Sequence, residues 1–475
     1  MTVSDGTAGE LRIPGYATRS VASPLPPMAR PRYPGEFLSL LARDHLRLFR
    51  RLAESGDVVQ VRMGRERLVL ISHPDDIEHM LVTEQRFFVK GRALDRVKTL
   101  LGEGLLTSED PTHRRHRRLL QPAFHRERIA GHAAIMSGAA ERAAMERFTD
   151  GGVVDLHREM MRLTRDIAGR ALFSLEVGED PGGVEEAIGR SLETYRLAVL
   201  PMGALLLRLS LRSVRRAQAA QARMNAWLLE TIRARRAEGH DRGDLLSMLL
   251  AAHDPEGAGQ SGGVAIATGL SDQEVRDEMV TLLLAGHETT AVALSWTWFL
   301  LSQHPDVEAR LLAELDAVLG TGGRVPAAED IPRLVYTRMV FSEAMRLFPP
   351  AWALERRALR DVELGGHRVP AGSLVFTSQF LVHRDPRWWP EPERFDPERW
   401  RPGREAERPK FAYFPFGGGS RVCIGEPFAW MEGVLLLATI SRRWRFAHER
   451  DHPVTMDPLV TLRPRYGMRM RAVRR

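Results

Sequence analysis

The chain has 475 residues, of which 44% are hydrophobic and 27% are charged, with a net charge of +7 and a single cysteine. One cysteine excludes an intrachain disulfide framework and any zinc or iron–sulfur site that needs several thiolates. The N-terminal residues contain neither an apolar run of about 20 residues nor a signal-peptide pattern, so we expect a cytoplasmic protein without a membrane span.

The first part of the chain predicts an extended arm followed by mixed structure. Residues 1–33 include a Pro-rich stretch, which predicts an extended N-terminal arm, and residues 34–475 are expected to form one domain. Apolar residues recur at helical spacing over 34–56. β-branched residues alternate on both sides of a central glycine over 57–72, which predicts a β-hairpin. Two glycines within 91–110 favour a loop-rich connection.

Helical patterns dominate the middle of the chain. Residues 254–269 are rich in Gly and Ser and predict a flexible surface loop. Ser271 and Glu274 then form a capping-box pattern. The helix that they open is expected to reach Gln303, which is about 33 residues or roughly 50 Å at 1.5 Å per residue.

The end of the chain combines short strands with a glycine-rich loop. Short strands are predicted over 360–376, and a helix over 428–440 precedes a β-like tail. The predicted fold is therefore mainly α with small β-sheets. Because the strands come from distant parts of the chain, the pattern favours one domain.

Residues 414–425 read FPFGGGSRVCIG and contain the single cysteine, Cys423. A thiolate is a good ligand for haem iron, and its electron donation favours O–O cleavage. Three successive glycines allow the backbone to pass close to a flat macrocycle, and a helix that begins after the cysteine stabilises thiolate charge. Phe416 is suited to shield the sulfur from water, and Arg421 to meet a haem carboxylate. The alternative is a buried structural cysteine in a glycine-rich turn.

This loop resembles the cytochrome P-450 family. The family pattern F-x-x-G-x-R-x-C-x-G is met by Phe416, Gly419, Arg421, Cys423 and Gly425. The resemblance implies haem b with Cys423 as its axial ligand. It also implies a single cytochrome P-450 domain and a haem-thiolate monooxygenase, which inserts one oxygen atom of dioxygen into a hydrophobic organic substrate.

A second pattern lies inside the long predicted helix. The residues Ala285-Gly286-His287-Glu288-Thr289 resemble the family's A-G-x-[DE]-T pattern. Ala285 and Thr289 are four residues apart and share a helix face. The resemblance implies that Glu288 and Thr289 deliver protons during dioxygen activation and that Ala285 and Gly286 lie against the haem. His287 occupies the variable position and is expected to pack rather than to bind a metal.

Three charged residues match a further family feature. Glu343 and Arg346 form E-x-x-R on a helix predicted to end at Pro349, and Arg394 lies in Pro392-Glu393-Arg394-Phe395. The resemblance implies that the three charges form a buried structural network, in which a half-paired member is costly.

Other residues match the positions that hold the haem carboxylates. His113 and Arg117 resemble the family's propionate pair, whose first position is often Trp; the alternative is an exposed His113 in a basic helix. Arg356 falls where the family often has another propionate arginine, and the neighbouring Arg357 leaves that choice open.

The family's substrate-pocket positions are apolar in this chain. They include Leu105, Leu284, Trp352, Ala353 and Leu354, which suit a terpenoid, fatty acyl, steroid or macrolide-like substrate. The apolar segment 197–211 is a candidate lip of the pocket mouth or an ordinary part of the core.

No segment resembles a reductase module, so the resemblance implies electrons from an external ferredoxin and ferredoxin reductase. The positive charge fits an acidic protein partner better than nucleic acid, for which no motif is present. We expect the docking face to include five arginines: Arg114, Arg115, Arg118, Arg442 and Arg443. A peroxide-driven haem-thiolate enzyme is an alternative, although enzymes of that kind often lose the acid–Thr pair. A non-catalytic haem sensor is a further alternative, but such a protein would need neither proton delivery nor a large pocket.

Overall fold

A computed structural model describes most of the chain. The described residues are 23–64, 66–175, 183, 186–187, 189–190, 212–252, 269–320 and 324–475. The candidate pocket lip at 197–211 and all but the last residue of the predicted loop at 254–269 lie outside the described residues.

Helices form most of the described structure. In chain order they are α1 (Glu36–Arg43), α2 (His45–Ala53), α3 (Pro74–Glu78), α4 (Arg92–Leu101), α5 (Thr112–Leu120), α6 (Arg126–Gly131), α7 (Ala133–Glu146), α8 (Leu156–Phe173), α9 (Arg212–Glu238), α10 (Leu245–Ala251), α11 (Asp272–Gln303), α12 (Pro305–Leu319), α13 (Val335–Leu347), α14 (Gln379–Val382) and α15 (Glu426–Ser441).

The strands are short and form four small sheets. They are β1 (Val58–Met63), β2 (Glu66–Ile71), β3 (Phe88–Lys90), β4 (Val153–Asp155), β5 (Leu354–Ala358), β6 (Val362–Leu364), β7 (His367–Val369), β8 (Leu374–Thr377), β9 (Trp444–His448), β10 (Met456–Pro458), β11 (Leu462–Pro464) and β12 (Arg469–Arg474). The sheet orders are β1-β2-β8-β5-β3, β4-β12-β9, β6-β7 and β10-β11.

The predicted hairpin is confirmed and explains why the chain folds as one domain. β1 and β2 pair antiparallel, with Val58 opposite Ile71. One face of the hairpin contributes Val58 and Ile71 to one hydrophobic cluster, and the other face contributes Val59 and Leu70 to a second. Because β2 also pairs with β8, about 300 residues later in the chain, the N-terminal strands cannot form a separate unit.

The arm before residue 34 packs against this hairpin. Ala29 N–H donates to the Gln60 carbonyl oxygen at 2.8 Å, and Gln60 N–H donates to the Pro27 carbonyl oxygen at 2.9 Å. Ala29 is buried in the core cluster beneath α1 and α2. The described part of the arm, residues 23–33, therefore lies along β1.

The prediction of a loop-rich connection over residues 91–110 is only partly right. Its first half is the helix α4, whose Leu100 and Leu101 are buried in the main core. Gly102 ends that helix with φ +69°, a conformation that glycine adopts readily. Tertiary burial of two leucines outweighs the weak local helix signal here.

The long helix α11 crosses the main core. Ser271 and Glu274 form the predicted capping box, with Glu274 N–H donating to Ser271 Oγ at 3.2 Å and Ser271 N–H donating to Glu274 Oε2 at 2.8 Å. Thr164 of α8 donates its hydroxyl hydrogen to the His287 carbonyl oxygen at 2.8 Å. His287 is buried and its ring contacts the Leu283 carbonyl oxygen at 2.6 Å, so it packs in the core as expected.

A search for membrane-spanning helices covered the described residues, and it found none that is both long and apolar enough.

Candidate haem site

The cysteine loop immediately precedes α15 and has a closely constrained backbone. Cys423 N–H donates to the Phe416 carbonyl oxygen at 3.0 Å, which closes the loop. Gly419 has φ +69°, and a Cβ added there would overlap the carbonyl oxygen of Leu81. Gly417 also has positive φ, at +75°, but space is available around it. The loop therefore requires glycine at 419 for both conformation and close approach.

Cys423 is accessible to solvent, although protein atoms surround its sulfur closely enough to affect its protonation. Burial raises the pKa of the thiol to about 11, although the N–H groups of Gly425 and Glu426 and the charge of Arg117 lower it. These N–H groups begin α15, as the sequence predicts. A bound metal cation deprotonates a coordinating thiol despite such a raised pKa.

Aromatic rings pack beside the sulfur loop. The Phe416 ring lies 5.7 Å from the ring of Trp430 on α15, and Trp430 also packs edge-on against Phe341. The guanidinium of Arg338 lies 5.0 Å from the centre of the Trp430 ring. Phe416 is therefore held in place next to Cys423, in a position suited to shield the sulfur.

Several cations gather at one side of the cysteine loop. Arg117 donates to the Val422 carbonyl oxygen at 2.6 Å. Arg421 donates to the Ser108 carbonyl oxygen at 3.1 Å and pairs with Glu109. Arg356 is buried, and burial with the charge of Arg421 lowers its pKa to about 10.

The sheet register identifies Arg356 as the arginine of this group and adds a residue that the sequence analysis missed. β3 pairs with β5 so that Lys90 lies opposite Arg356, while Arg357 is one position away, on the other face of the strand. Lys90 is buried, and burial together with the charge of Arg421 lowers its pKa to about 7. The signal that could have identified it is a lysine in an otherwise apolar strand, next to Gly91.

His113 belongs to the same group and is buried, so the exposed alternative is excluded. Burial and the charges of Arg421 and Lys90 lower the pKa of His113 to about 4, which leaves the ring neutral at pH 7. Its Nδ1 lies 3.5 Å from Oδ1 of Asp110. A neutral ring can still donate one hydrogen bond to a carboxylate.

The chemistry of this donor set fits a haem. Arg117, Arg356 and Arg421 are cationic, Lys90 is partly protonated near pH 7, and Glu109 pairs directly with Arg421. Burial, and then the charge of Arg421, lowers the pKa values of Lys90 and Arg356. The two carboxylates of a haem would offset the positive charge of this group, and the Cys423 thiol would supply the axial ligand.

The predicted oxygen-binding face of α11 is accessible to solvent. Ala285 is exposed although the residues before it, at 282–284, are buried, and Gly286 and Thr289 are partly exposed. The Thr289 hydroxyl donates to the Ala285 carbonyl oxygen, one turn earlier in the helix, at 2.8 Å. A Cβ added at Gly286 would lie 3.7 Å from the Cβ of Ala168 on α8, which is an ordinary van der Waals contact.

Glu288 points away from that face. Its carboxylate is buried and accepts a hydrogen bond from the Thr461 hydroxyl at 2.5 Å. Thr461, just before β11, is a second residue that the sequence analysis missed. No local motif marks it, because the contact joins residues 173 positions apart.

The buried charge network contains a different arginine from the predicted one. Glu343 and Arg346 are fully buried and share two hydrogen bonds, at 2.7 and 2.8 Å. Arg394 lies at the surface and pairs with Glu391, contributing only its backbone carbonyl oxygen to Arg346. Arg399, whose Nε lies 3.4 Å from Glu343, takes the predicted place.

The correction has a simple origin in the sequence. The tetrapeptide of Arg394 is followed at once by a similar one, Pro397-Glu398-Arg399-Trp400, with Trp in place of Phe. In the second copy the Trp400 indole N–H also donates to Glu343, at 2.9 Å. The sequence analysis matched the first copy, whose arginine side chain points to solvent.

The predicted pocket walls divide into two groups. Leu105 and Leu284 are buried within the main core cluster around α11, and Leu354 is the residue nearest to a Cβ added at Gly417. The prediction for Trp352 is wrong, because its ring stacks on His45 and its N–H donates to the Leu459 carbonyl oxygen at 3.0 Å.

Ala353 packs partly against the same N-terminal cluster as Trp352, while Leu354 packs partly against the cluster around β2 and β8. The chain enters β5 at Leu354, where side chains begin to alternate between the two faces of the sheet. This alternation explains why neighbouring residues face different cores.

The predicted docking arginines are also divided. Arg442 and Arg443 both pair with Glu141, and Arg115 pairs with Glu274 at 2.6 Å. These three therefore do not form an open basic surface. Arg114 is exposed and Arg118 is partly exposed; both line a surface cleft of about 760 Å³ beside the haem-carboxylate group. Other residues that line the cleft include Arg86, His113, Arg117 and Arg421.

An exposed cysteine just before a helix, a cationic group suited to two carboxylates and a helix with a small-residue face define a haem-thiolate site. A family model described as Cytochrome P450 matches residues 26–470. The chain is 43% identical to Cyclooctatin synthase of Streptomyces melanosporofaciens, over 91% of this chain and 90% of that protein. It is 41% identical to Cyclooctat-9-en-7-ol 5-monooxygenase of the same organism, over 85% and 86%.

A third relative is Pentalenene oxygenase of Streptomyces avermitilis, at 34% identity over 92% of this chain and 94% of that protein. Among solved structures, the chain resembles the haem domain of cytochrome P450DA with a TM-score of 0.82 and 28% identity, over 95% of this chain and 98% of that one. The chain therefore belongs to the cytochrome P450 family.

Family membership confirms the predicted fold, cofactor and class of activity. The protein is a monooxygenase with a haem held by a cysteine thiolate, and Cys423 is its single cysteine. It acts on an organic substrate with dioxygen and receives electrons from a redox partner.

Proposed function

We propose that the protein is a terpenoid monooxygenase that hydroxylates or epoxidises a cyclic terpenoid of secondary metabolism. The observation that carries this proposal is the similarity to relatives named for cyclooctat-9-en-7-ol and pentalenene, over most of each chain. The apolar side chains of Leu105, Leu284 and Leu354 are consistent with such a substrate. Steroid, fatty acyl and macrolide-like substrates are supported only by the apolar character of these side chains.

The roles of the haem-contacting residues form part of the proposal. When bound, the haem supplies the iron centre at which dioxygen is activated. Arg117, Arg356 and Arg421 would hold its carboxylates together with Lys90, and the neutral His113 would donate a hydrogen bond. Ala285 and Gly286 would lie against the macrocycle. Phe416, Gly419 and Gly425 would shape the loop that presents Cys423.

Glu288 and Thr289 would move protons toward the exposed face of α11. The Thr289 hydroxyl lies on the exposed side of α11, where it can donate a hydrogen bond after releasing the Ala285 carbonyl oxygen. Glu288 holds its carboxylate on Thr461, behind that side. A rotation of the Glu288 side chain would transfer a proton from the interior to Thr289, which is the task of a general acid.

A Soret-band titration with pentalenene, a sterol and a saturated fatty acid tests the substrate class. We expect a spectral shift at micromolar pentalenene and weaker or absent shifts for the acyclic acid. The product after turnover should be pentalenene plus one oxygen atom, as measured by mass spectrometry. Binding of the sterol or the fatty acid alone would contradict the terpenoid assignment.

Turnover measurements test proton delivery and separate the two oxygen-using alternatives. Thr289→Ala and Glu288→Gln should keep the haem content but lower product per NAD(P)H, since positioned proton transfer contributes about 10²–10⁴-fold. Thr290→Ala is the matched control, because that neighbouring threonine is buried and faces away. Efficient product formation from peroxide alone, unaffected by either variant, would favour a peroxide-driven enzyme.

We also propose that the redox partner is an acidic ferredoxin that docks at the arginine-lined cleft. The cleft adjoins the haem-carboxylate group and carries Arg86 and Arg114 at its exposed rim. Steering by exposed charges is screened by salt. A cytoplasmic location fits this partner and a chain whose one thiol must remain reduced.

Stopped-flow reduction by a ferredoxin and its reductase tests the docking site. Reduction should slow as salt rises, and Arg86→Glu with Arg114→Glu should slow it at low salt. Arg216→Glu is the control, since Arg216 is exposed on α9 and does not line the cleft. Equal rates for all three proteins at every salt concentration would contradict the docking proposal.

A further inference from the structure

The loop between α4 and α5 carries Leu105 and lies on the first turns of α11. Glu103 N–H donates to Oδ2 of Asp277 at 2.8 Å, and Leu105 N–H donates to Oε2 of Glu278 at 3.1 Å. The carboxylates of Asp277 and Glu278 thus accept hydrogen bonds from two backbone N–H groups that have no partner within a strand or helix. The loop is fixed by side chains that are distant in sequence.

The peptide groups of Leu105 are bound from both sides. Its carbonyl oxygen accepts a hydrogen bond from Nζ of Lys90 at 3.0 Å, and the same ammonium group donates to the Ser108 carbonyl oxygen at 2.6 Å. Glu278 and Lys90 are both buried. Hydrogen bonds to charged groups in such surroundings are stronger than those between neutral groups.

Glu278 is itself held in one orientation. Its second oxygen, Oε1, lies 2.7 Å from Nδ1 of His116, and both side chains are fully buried. Burial disfavours a charged ring, but the hydrogen bond and charge of Glu278 outweigh it and raise the pKa of His116. The pair therefore favours an imidazolium next to a carboxylate.

Steric fit adds to these bonds. Gly102 has φ +69°, and a Cβ added there would overlap the carboxylate of Asp277. A Cβ added at Gly104 would overlap the hydroxyl of Thr281. The loop approaches α11 so closely that neither position has room for a side chain.

Glu278 also lies on the same side of α11 as the exposed face. Residues 278, 285 and 289 recur at intervals of seven and four, so they line one side of the helix. The contact with Leu105 therefore lies two turns before Ala285. It places the loop next to the region where the substrate would bind.

We propose that Glu278, oriented by His116, is a specificity-determining positioning residue that fixes the Leu105 peptide and thereby the shape of the pocket wall. The inference rests on the proposed function for the kind of substrate, a rigid cyclic terpenoid. Such a molecule offers few polar groups, so the enzyme must select it by the shape of an apolar wall. A wall fixed in advance costs less ordering on binding.

Glu278→Gln in the full-length, haem-loaded protein tests this proposal. The amide of Leu105 should exchange hydrogen about tenfold faster or more, because its hydrogen bond to the charged Glu278 acceptor is lost or weakened. Pentalenene affinity should fall about tenfold, a change of about 1.4 kcal/mol. Affinity for imidazole, which binds the iron and makes little use of the wall, should stay within about twofold. Glu308→Gln, a buried carboxylate paired with Arg445, is the matched control.

A second variant changes the loop without changing any charge. Gly102→Ala should give the same exchange and affinity pattern, while Gly131→Ala, where a Cβ meets nothing within 4 Å, should not. Unchanged amide exchange in both Glu278→Gln and Gly102→Ala would overturn the proposal. If pentalenene does not bind even the natural protein, the terpenoid proposal fails, and the ligand-free exchange data alone decide the role of Glu278.

Discussion

The cysteine loop and the loop that carries Leu105 both approach the candidate haem site, but different features hold them in place. The cysteine loop is closed by its own backbone, with Cys423 N–H bonded to the Phe416 carbonyl oxygen, and distant residues such as Arg117 then contact it. The Leu105 loop is fixed by Glu278 of α11 and Lys90 of β3. The bond that closes the first loop is local, whereas the bonds to the Leu105 peptide come only from other elements, up to 173 positions away.

This difference separates the loop that the chemistry always requires from the loop that selects a substrate. A thiolate ligand needs the same short loop whatever the substrate, so its residues form a dense local pattern. A pocket wall must vary with the substrate, and contacts between distant residues allow it to vary without changing the ligand loop.

The largest effect on stability is expected from the buried charge network, which lies in the core on which both loops depend. Arg346→Ala leaves Glu343 buried without its main partner, at a cost of about 3–5 kcal/mol in the free energy of unfolding. We expect little haem-loaded protein, as measured by haem content and urea denaturation. Arg394→Ala is the control and should change stability by less than about 0.5 kcal/mol, because Arg394 is exposed. Equal losses in both variants would contradict the corrected network.

A smaller effect distinguishes two glycines within the cysteine loop. Gly417→Ala should cost about 1–2 kcal/mol, since only its backbone conformation is disfavoured. Gly419→Ala adds an overlap with the Leu81 carbonyl oxygen and should cost about 2–4 kcal/mol in total. Urea denaturation of the haem-loaded proteins measures both values. A milder effect at 419 than at 417 would show that the loop is not locally constrained.

The buried carboxyl group of Glu432 predicts that the stability of the protein depends on pH. Glu432 of α15 is fully buried, and burial raises its pKa to about 8, although the nearby Thr290 hydroxyl lowers it in part. Between the usual carboxyl range and about pH 8, the unfolded chain is ionised at this residue while the folded protein keeps its proton.

The contribution of Glu432 to stability should therefore fall as pH rises through that window, by up to about 1.4 kcal/mol per pH unit. Glu432→Gln should remove this part of the slope, as measured by urea midpoints from pH 5.5 to 8. Glu78→Gln, at an exposed position of α3, should leave the slope unchanged. A Glu432→Gln protein with the same slope as the natural protein would contradict the protonated state of Glu432.

The sequence predicted well the features that local patterns encode. The capping box of α11, the β1–β2 hairpin and the thiolate loop all depend on residues close together in the chain. Prediction failed where two similar peptides compete, as for Arg394 and Arg399. It also missed Lys90, whose apolar surroundings in the sequence are unusual for lysine but whose place next to Arg356 follows only from the pairing of β3 with β5.

Trp352 illustrates a further limit of local reasoning. Its neighbours in sequence suggested a pocket wall, but His45 and Phe49 of α2 cover its ring. The periodicity of the sequence does not indicate which of two hydrophobic clusters a large side chain packs into at the start of a strand.

The central claim is that Cys423 provides the thiolate that holds the haem. The carbon monoxide spectrum of the reduced protein tests it most directly. The natural protein should show the red-shifted Soret band of thiolate ligation, and Cys423→Ser should lose it, since the chain has no other cysteine. A Cys423→Ser protein that keeps the red-shifted band, or a natural protein that never shows it, would contradict the assignment.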